Sequence, residues 1–327
     1  MTTTYHGDSR RNNHFWVYPK NLPITKNHWD TYDLDNYCSN YKYCHTFLNN
    51  GIMEFKCLGH KETSEILIAI LAKDKAPCLP FYLQCIYNLN YDKKKLNLNI
   101  KTNDNNDNTK DLLLEFIGKY GKEYKSIYYN DLDIAPKLKT MGHREWTSFR
   151  FNILGKIRQD SINYAIENNL HYFVADCDNF VTPNTLNELL LHKDKKVIGP
   201  MLPTKTGYSN FHYTVDNDGY FKNHENYGKL LTKEIKGVIP VDVIHCTYFI
   251  NNNTLKDISY NDGSGRHEYV IFSDMLRKKN INQYLLNENF YGMLEWYINK
   301  EDVNPDLQNY WSWALPAFKY DKDFFTN

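Results

Sequence analysis

Ile66-Leu67-Ile68-Ala69-Ile70-Leu71-Ala72, running directly into Lys73-Asp74, is the stretch that decides the fold class. Seven apolar residues without a polar interruption read as a strand buried on both faces, the kind found inside a parallel sheet. Downstream, Pro77-Cys78-Leu79-Pro80 opens a helical stretch to about Leu89, with proline in the first turn. Leu96 to Lys101 alternates like a strand. Asp107-Asn108-Thr109 then caps an amphipathic helix from Leu112 to Tyr120 that stops at Gly121. Ser126 to Tyr129 reads as a short strand, Arg150 to Asn168 as a long helix and His171 to Ala175 as the next strand. This alternation predicts an α/β fold, a mostly parallel sheet with right-handed crossovers flanked by helices.

Beyond Val197 to Pro200 the texture becomes strand and turn. Phe211 to Val215 and Tyr220-Phe221 flank Asp216-Asn217-Asp218-Gly219, where Gly219 suits a hairpin turn. Val238 to Asn251 reads as one further strand and Tyr269 to Lys279 as a helix, giving a subdomain on the acceptor side of the first half. Upstream, residues 1–62 lack clear periodicity and read as an N-terminal arm packed on the main domain or forming a homodimer contact. Cys38 and Cys44 lie six apart there, which does not match zinc spacing. The expected organisation is an arm at 1–62, a main α/β domain at 63–298 and a C-terminal tail at 299–327.

Composition excludes some functions. Lys plus Arg and Asp plus Glu are equal at 39 each, so the net charge is zero and the basic surface that nucleic-acid binding needs is missing. No apolar run reaches the roughly 18–20 residues of a membrane span. Neither a P-loop nor a Rossmann glycine fingerprint is present. Met1 to Arg11 is polar, without a signal-peptide core, and the odd number of cysteines reads as reduced thiols. The expected location is therefore cytoplasmic. Asn, Lys, Ile and Tyr are abundant, a bias typical of AT-rich coding DNA, so Asn103 to Asn108 could be composition alone.

The sharpest chemical feature is His171-Tyr172-Phe173-Val174-Ala175-Asp176-Cys177-Asp178. A strand delivers two carboxylates spaced i, i+2, which face one side in extended geometry. Open α/β sheets bind ligands at such strand ends. Paired carboxylates there suit Mn²⁺ or Mg²⁺ holding a diphosphate. Alone the motif is weak, since Asp also serves turns and helix caps, and Thr182-Pro183 follows closely.

Leu67 to Asp74 together with Asp176 to Phe180 resembles the nucleotide-sugar half of a GT-A glycosyltransferase. The blocks Cys78 to Leu83, Thr102 to Thr109, Phe149 to Gln159, Asp176 to Phe180, Gly199 to Leu202, Tyr208 to Phe211, Gly219 to Lys222 and His245 to Ile250 resemble the collagen β-galactosyltransferase family in order and spacing, over residues 65 to 295. The resemblance implies a metal-dependent inverting transfer of galactose from UDP-galactose to hydroxylysine of a collagen-like protein. It implies metal ligation by Asp176 and Asp178, and donor contacts from Ala72, Lys73 and Asp74, from Thr102, Asn103 and Asp104, and from the basic helix residues Arg150, Lys156 and Arg158. Asn210 matches a residue of the acceptor-side block. Glu268 keeps one carboxylate of an acidic pair and is the candidate general base, with a helix cap as its structural alternative. Phe290 stands where the family is expected to have His, so His245 becomes the candidate third metal ligand, against a buried, hydrogen-bonded core histidine. Trp146 reads as core. The resemblance also implies a secretory signal and a second transferase-like domain, neither of which this sequence carries, so a host cytoplasm or virion setting is expected if the chain is viral. Two other readings stand beside this one: a glucosyltransferase of the same fold using UDP-glucose, and a degenerate module binding glycans or collagen-like partners.

Overall fold

The computed structural model describes strands within residues 5–60 at the level of the backbone, and residues 64–142, 145–204, 207–295 and 314–325 in full. The chain divides into two units, Met1–Thr63 and Ser64–Asn327. The first contains an antiparallel four-stranded sheet: β1 (Tyr5–Asp8), β2 (Asn13–Val17), β3 (Tyr41–Asn49) and β4 (Ile52–His60), in the order β1-β2-β4-β3. The aperiodic arm expected there is instead a sheet, with β3 and β4 in register from Tyr41↔His60 to Asn49↔Ile52. Cys38 and the side chains of Cys44, His45, Cys57 and His60 lie outside the described residues.

The second unit is built on β5 (Ile66–Ala72), α1 (Leu79–Tyr87), β6 (Leu96–Thr102), α2 (Thr109–Tyr120), β7 (Ser126–Asn130), α3 (Ser148–Glu167) and β8 (His171–Ala175). These four strands pair in parallel in the order β7-β6-β5-β8. Successive side chains of β5 point to opposite faces. Ile66, Ile68 and Ile70 pack with Leu79, Tyr82 and Leu83 of α1 and Phe116 of α2. Leu67 and Ala69 belong to the opposite layer with Ile162 and Ala165 of α3. Burial on both sides explains the uninterrupted apolar run.

The chain continues through β9 (Asn179–Val181), α4 (Thr185–Leu190), β10 (Val197–Pro200), β11 (Phe211–His212), β12 (Thr214–Val215), β13 (Phe221–Lys222) and α5 (Glu225–Leu231). β14 (Val238–Val241), β15 (Val243–Ile244), β16 (Thr247–Ile250), α6 (Glu268–Lys278), β17 (Gln283–Leu286) and β18 (Gly292–Leu294) complete it. The full sheet runs β14-β17-β10-β16-β8-β5-β6-β7, with β14 and β16 antiparallel to the rest. The expected hairpin is present: β12 pairs with β13, and Gly219 has φ 89.

Two expectations change. The single strand expected over 238–251 is three, because β14 pairs with β17, β15 with β11 and β16 with β8 and β10. The chain kinks between β15 and β16 at Cys246, whose φ is 63. The C-terminal tail is not a separate segment where it is described. Phe318 and Phe324 are buried, with Phe324 stacked on Tyr120 at 4.7 Å and Gln84 donating to the Asp321 carbonyl at 2.8 Å. Residues 299–313 lie outside the described residues. Among the described residues no helix is long and apolar enough to cross a membrane.

Candidate active site

The strand order reverses between β5 and β8: the chain steps outward through β6 and β7, then returns to the other side of β5. A crevice at the carboxyl ends of the strands forms at such a reversal. The segments leaving it are 73–76 after β5, 103–109 after β6 and 176–178 after β8.

The first two are laced together. The Asp74 amide donates to Asn105 Oδ1 (2.9 Å), the Lys75 amide to Thr109 Oγ1 (2.7 Å) and the Ala76 amide to Asp107 Oδ2 (3.0 Å), while Asp74 Oδ1 accepts from the Asn106 amide (2.6 Å). Asp74 and Asp104 both sit in the left-handed region, with φ 51 and 49. The Asn- and Asp-rich block is thus a set of side-chain acceptors that hold a loop whose own amides have no strand to pair with. Asp104 is fully buried and Oδ2 accepts from the amides of Ile134 and Ala135, fixing the loop after β7. Asn103 donates to the same oxygen, and Thr102 accepts from Asn105. These three expected donor contacts therefore have structural partners, and Lys73 pairs with Asp74.

Across the crevice the charges alternate. Arg158 Nη2 bonds both carboxylate oxygens of Asp176, at 2.9 and 3.0 Å, and its Nε lies 3.4 Å from Glu268 Oε1. Burial opposes charge on Arg158, but the Asp176 and Glu268 carboxylates outweigh it and hold the guanidinium ionised. Burial raises the Glu268 pKa above 4.5, with Arg158 pulling it back. Glu268 Oε2 is buried without a hydrogen-bond partner, as is Arg158 Nη1. Glu268 is the acidic residue of the first turn of α6, after the N-cap His267, and its carboxylate also faces Arg158. Gly155 makes this approach possible. A Cβ there would lie 2.8 Å from the Tyr260 carbonyl oxygen and in ordinary contact, 3.5 Å, with Glu268 Cβ, so α3 comes this close to the segment leading into α6 only without one.

Asp178 has its own cation. Lys75 Nζ lies 2.6 Å from Asp178 Oδ2. Burial works against the Lys75 charge, and Asp178 together with the neighbouring Cys78 and Cys177 more than offsets it, so the pKa is raised. Lys75 was not singled out in the sequence, although it stands in the same post-strand turn as Asp74.

The basic residues of α3 do not converge. Arg158 is buried between the two carboxylates, Arg150 donates to the Gly142 carbonyl (3.0 Å) with its guanidinium over the Trp146 ring, and Lys156 is exposed beside Gln159 and Ser259. Trp146 is 51% exposed, correcting its assignment to the core. It stands 5.8 Å from the His267 ring. Asn210 is wholly buried. Its Nδ2 donates to the Pro200 carbonyl (2.9 Å) and its Oδ1 accepts from the Leu202 amide (2.9 Å), so it braces the backbone and has no free polar atom to offer a substrate.

His245, the expected third metal ligand, already has partners on both ring nitrogens. Its Nε2 meets Tyr208 Oη at 3.1 Å and its Nδ1 meets Cys246 Sγ at 2.8 Å, so both nitrogens are engaged. Burial and the neighbouring His212, Arg158 and His267 hold it neutral. Among the described residues no group of three His, Cys, Asp or Glu side chains could hold a metal ion. Phe290 packs edge-on to Phe318 with centroids 6.0 Å apart. Two carboxylates at the strand end remain, and each oxygen keeps a lone pair beyond its present bond. Such hard oxygen donors fit Mn²⁺ or Mg²⁺ when further oxygens come from a bound diphosphate.

The model of the glycosyltransferase family 25 N-terminal domain matches residues 63–312. The chain belongs to this family. Within family 25, it is similar to procollagen galactosyltransferase 1-A of Xenopus laevis, 29% identical over 239 residues covering 70% of this chain and 39% of the relative. Human procollagen galactosyltransferase 2 is 28% identical, with 71% and 39% covered. The mouse inactive glycosyltransferase 25 family member 3 is 29% identical, with 58% and 32% covered. The matched stretch is thus about two-fifths of the length of the galactosyltransferase relatives. Among solved structures, S. aureus TarS aligns at 13% identity and TM-score 0.46 over 70% of this chain and 60% of that one. Mannosyltransferase PcManGT from Pyrobaculum calidifontis, in complex with GDP-Man and Mn²⁺, aligns at 11% and 0.43 over 79% and 74%.

Proposed function

We propose that this family 25 chain transfers a hexose from a uridine diphosphate sugar to a hydroxyl group, with UDP-galactose as donor and hydroxylysine of a collagen-like protein as acceptor. The observation that carries the reading is the alternation Asp176–Arg158–Glu268 at the reversal point of the sheet, inside a domain related to procollagen galactosyltransferases. Asp178 and Asp176 are the residues that would hold a divalent ion. When bound, that ion would neutralise the diphosphate and favour departure of UDP.

The protein's own groups have distinct roles. The 73–76 turn and the 102–109 block form the wall where the nucleoside would lie. Arg158 orients Asp176 by bonding both of its carboxylate oxygens. Glu268 takes the proton from the acceptor hydroxyl as it attacks the anomeric carbon. Its raised pKa brings the base nearer to working pH, and its unpartnered Oε2 is the atom left to accept.

UDP release in the presence of Mn²⁺, measured separately with UDP-galactose and UDP-glucose, tests the donor. Faster release with UDP-galactose supports the reading, and preference for UDP-glucose replaces it with the glucosyltransferase. A binding module is the second reading, favoured by the similarity to inactive family member 3. UDP binding with Mn²⁺ but no hexose transfer to any hydroxylysine peptide is its signature.

A further inference from the structure

The two carboxylates after β8 hold their cations differently. Arg158, the partner of Asp176, is buried at 4% exposure and also faces Glu268, so it has two anions and no room to leave. Lys75, the partner of Asp178, has a fixed backbone and a long, partly exposed side chain. Its amide donates to Thr109, and its carbonyl accepts from the amides of Cys78 and Leu79. Its side chain is 27% exposed, and among the described residues Asp178 is the one carboxylate it pairs with, the Cys78 and Cys177 thiols lying nearby. An ammonium on four methylenes can leave a carboxylate by rotating the stem, whereas a guanidinium clamped between two anions cannot.

We propose that Lys75 is the resident cation of Asp178 in the donor-free protein, and that a divalent ion takes this carboxylate by displacing it, the freed ammonium passing to the diphosphate of the donor. The inference rests on the metal and UDP-sugar reading of the site. The displaced ammonium needs a new anion, and a bound diphosphate is one. Metal alone therefore binds weakly, UDP strengthens it, and by linkage metal strengthens UDP to the same degree.

If Lys75 occupies Asp178 about nine-tenths of the time, removing it tightens binding of metal alone about tenfold. The measurement is a titration of the folded protein with Mn²⁺, free ion being read from its paramagnetic resonance signal, with and without UDP. Lys75→Met keeps the stem length, and Lys75→Gln is the second variant should Met disturb packing. Both are expected to bind Mn²⁺ alone about tenfold more tightly than the natural protein, and to lose most of the strengthening by UDP. Lys75→Arg, which retains a cation, is expected to stay close to the natural protein. Asp178→Asn is expected to abolish the gain when combined with Lys75→Met. Equal Mn²⁺ affinity in the natural protein and both neutral variants, with UDP strengthening intact, overturns the role of Lys75 and leaves the metal reading standing. Absence of Mn²⁺ binding in all of them, even with UDP, overturns both.

Discussion

Arg158→Met isolates the central ion pair. The substitution keeps much of the apolar stem and deletes the only cation shown between Asp176 and Glu268. Glu268 is then a carboxylate with a 6% exposed side chain and no partner, while Asp176, at 24%, can turn toward water. Breaking one side of a buried pair costs about 3–5 kcal/mol. For a unit the size of Ser64–Asn327 this lowers the Tm by roughly 5–10 °C. The pH dependence follows from the sign of the Glu268 shift. Its folded pKa already lies above 4.5 because of burial, and losing Arg158 raises it further. A raised carboxylate pKa penalises the fold only where Glu268 must ionise. The penalty is absent below the ordinary value and grows as pH rises through the folded one. The Tm gap between variant and natural protein should be largest near about pH 8 and shrink toward about pH 5. Scanning calorimetry at both values measures it, and Arg158→Met combined with Glu268→Gln should recover most of the loss. A gap that is pH-independent, or that widens on acidification, refutes the reasoning.

Glu268→Gln preserves size but cannot take a proton; kcat is expected to fall at least about a hundredfold while UDP-sugar affinity measured by calorimetry stays within about twofold. Gly155→Ala places a methyl 2.8 Å from the Tyr260 carbonyl oxygen, and the overpacking, about 1–3 kcal/mol, outweighs the helical gain of up to about 1 kcal/mol. A lowered denaturant midpoint is expected, and a raised one contradicts it. Asn210→Ala strands the Pro200 carbonyl and the Leu202 amide, so thermal stability should drop by about 2–4 kcal/mol while UDP affinity of the folded protein is unchanged.

The parallel half of the sheet was legible because burial on both faces leaves a mark in local sequence. Ile66–Ala72 and His171–Ala175 fall at their expected bounds, and the Asp176–Cys177–Asp178 segment follows directly from the second. Elements that depend on distant partners left less trace. The stretch 238–251 is mostly apolar, so nothing local announces that it breaks into three strands serving two sheets, and the turn at Cys246 has no glycine to flag it. In the first unit a signal was present and passed over: Asn50-Gly51, a strong hairpin dipeptide, stands between two runs of β-formers. Site residues divide the same way. Asp176, Asp178, Arg158 and Glu268 are candidates in the sequence, and the structure brings Asp176, Arg158 and Glu268 together. Which cation serves which carboxylate depends on the approach of α3 to α6 and of the β5 turn to the β8 turn, and spacing along the chain does not encode that. His245 and Asn210 show why spacing is not enough: a buried polar residue satisfied by its neighbours has the same local sequence as one that binds a ligand.

The most direct test is hexose transfer to a hydroxylysine-containing peptide from UDP-galactose with Mn²⁺, followed by the mass gain of the peptide, for the natural protein and for Asp176→Ala and Asp178→Ala. The account predicts transfer by the natural protein and a loss of at least about a hundredfold in each variant, comparable to removing a major electrostatic stabiliser, with the fold retained by circular dichroism. Folded variants that transfer at near-natural rates would contradict it, as would a natural protein that binds UDP and Mn²⁺ yet moves no sugar.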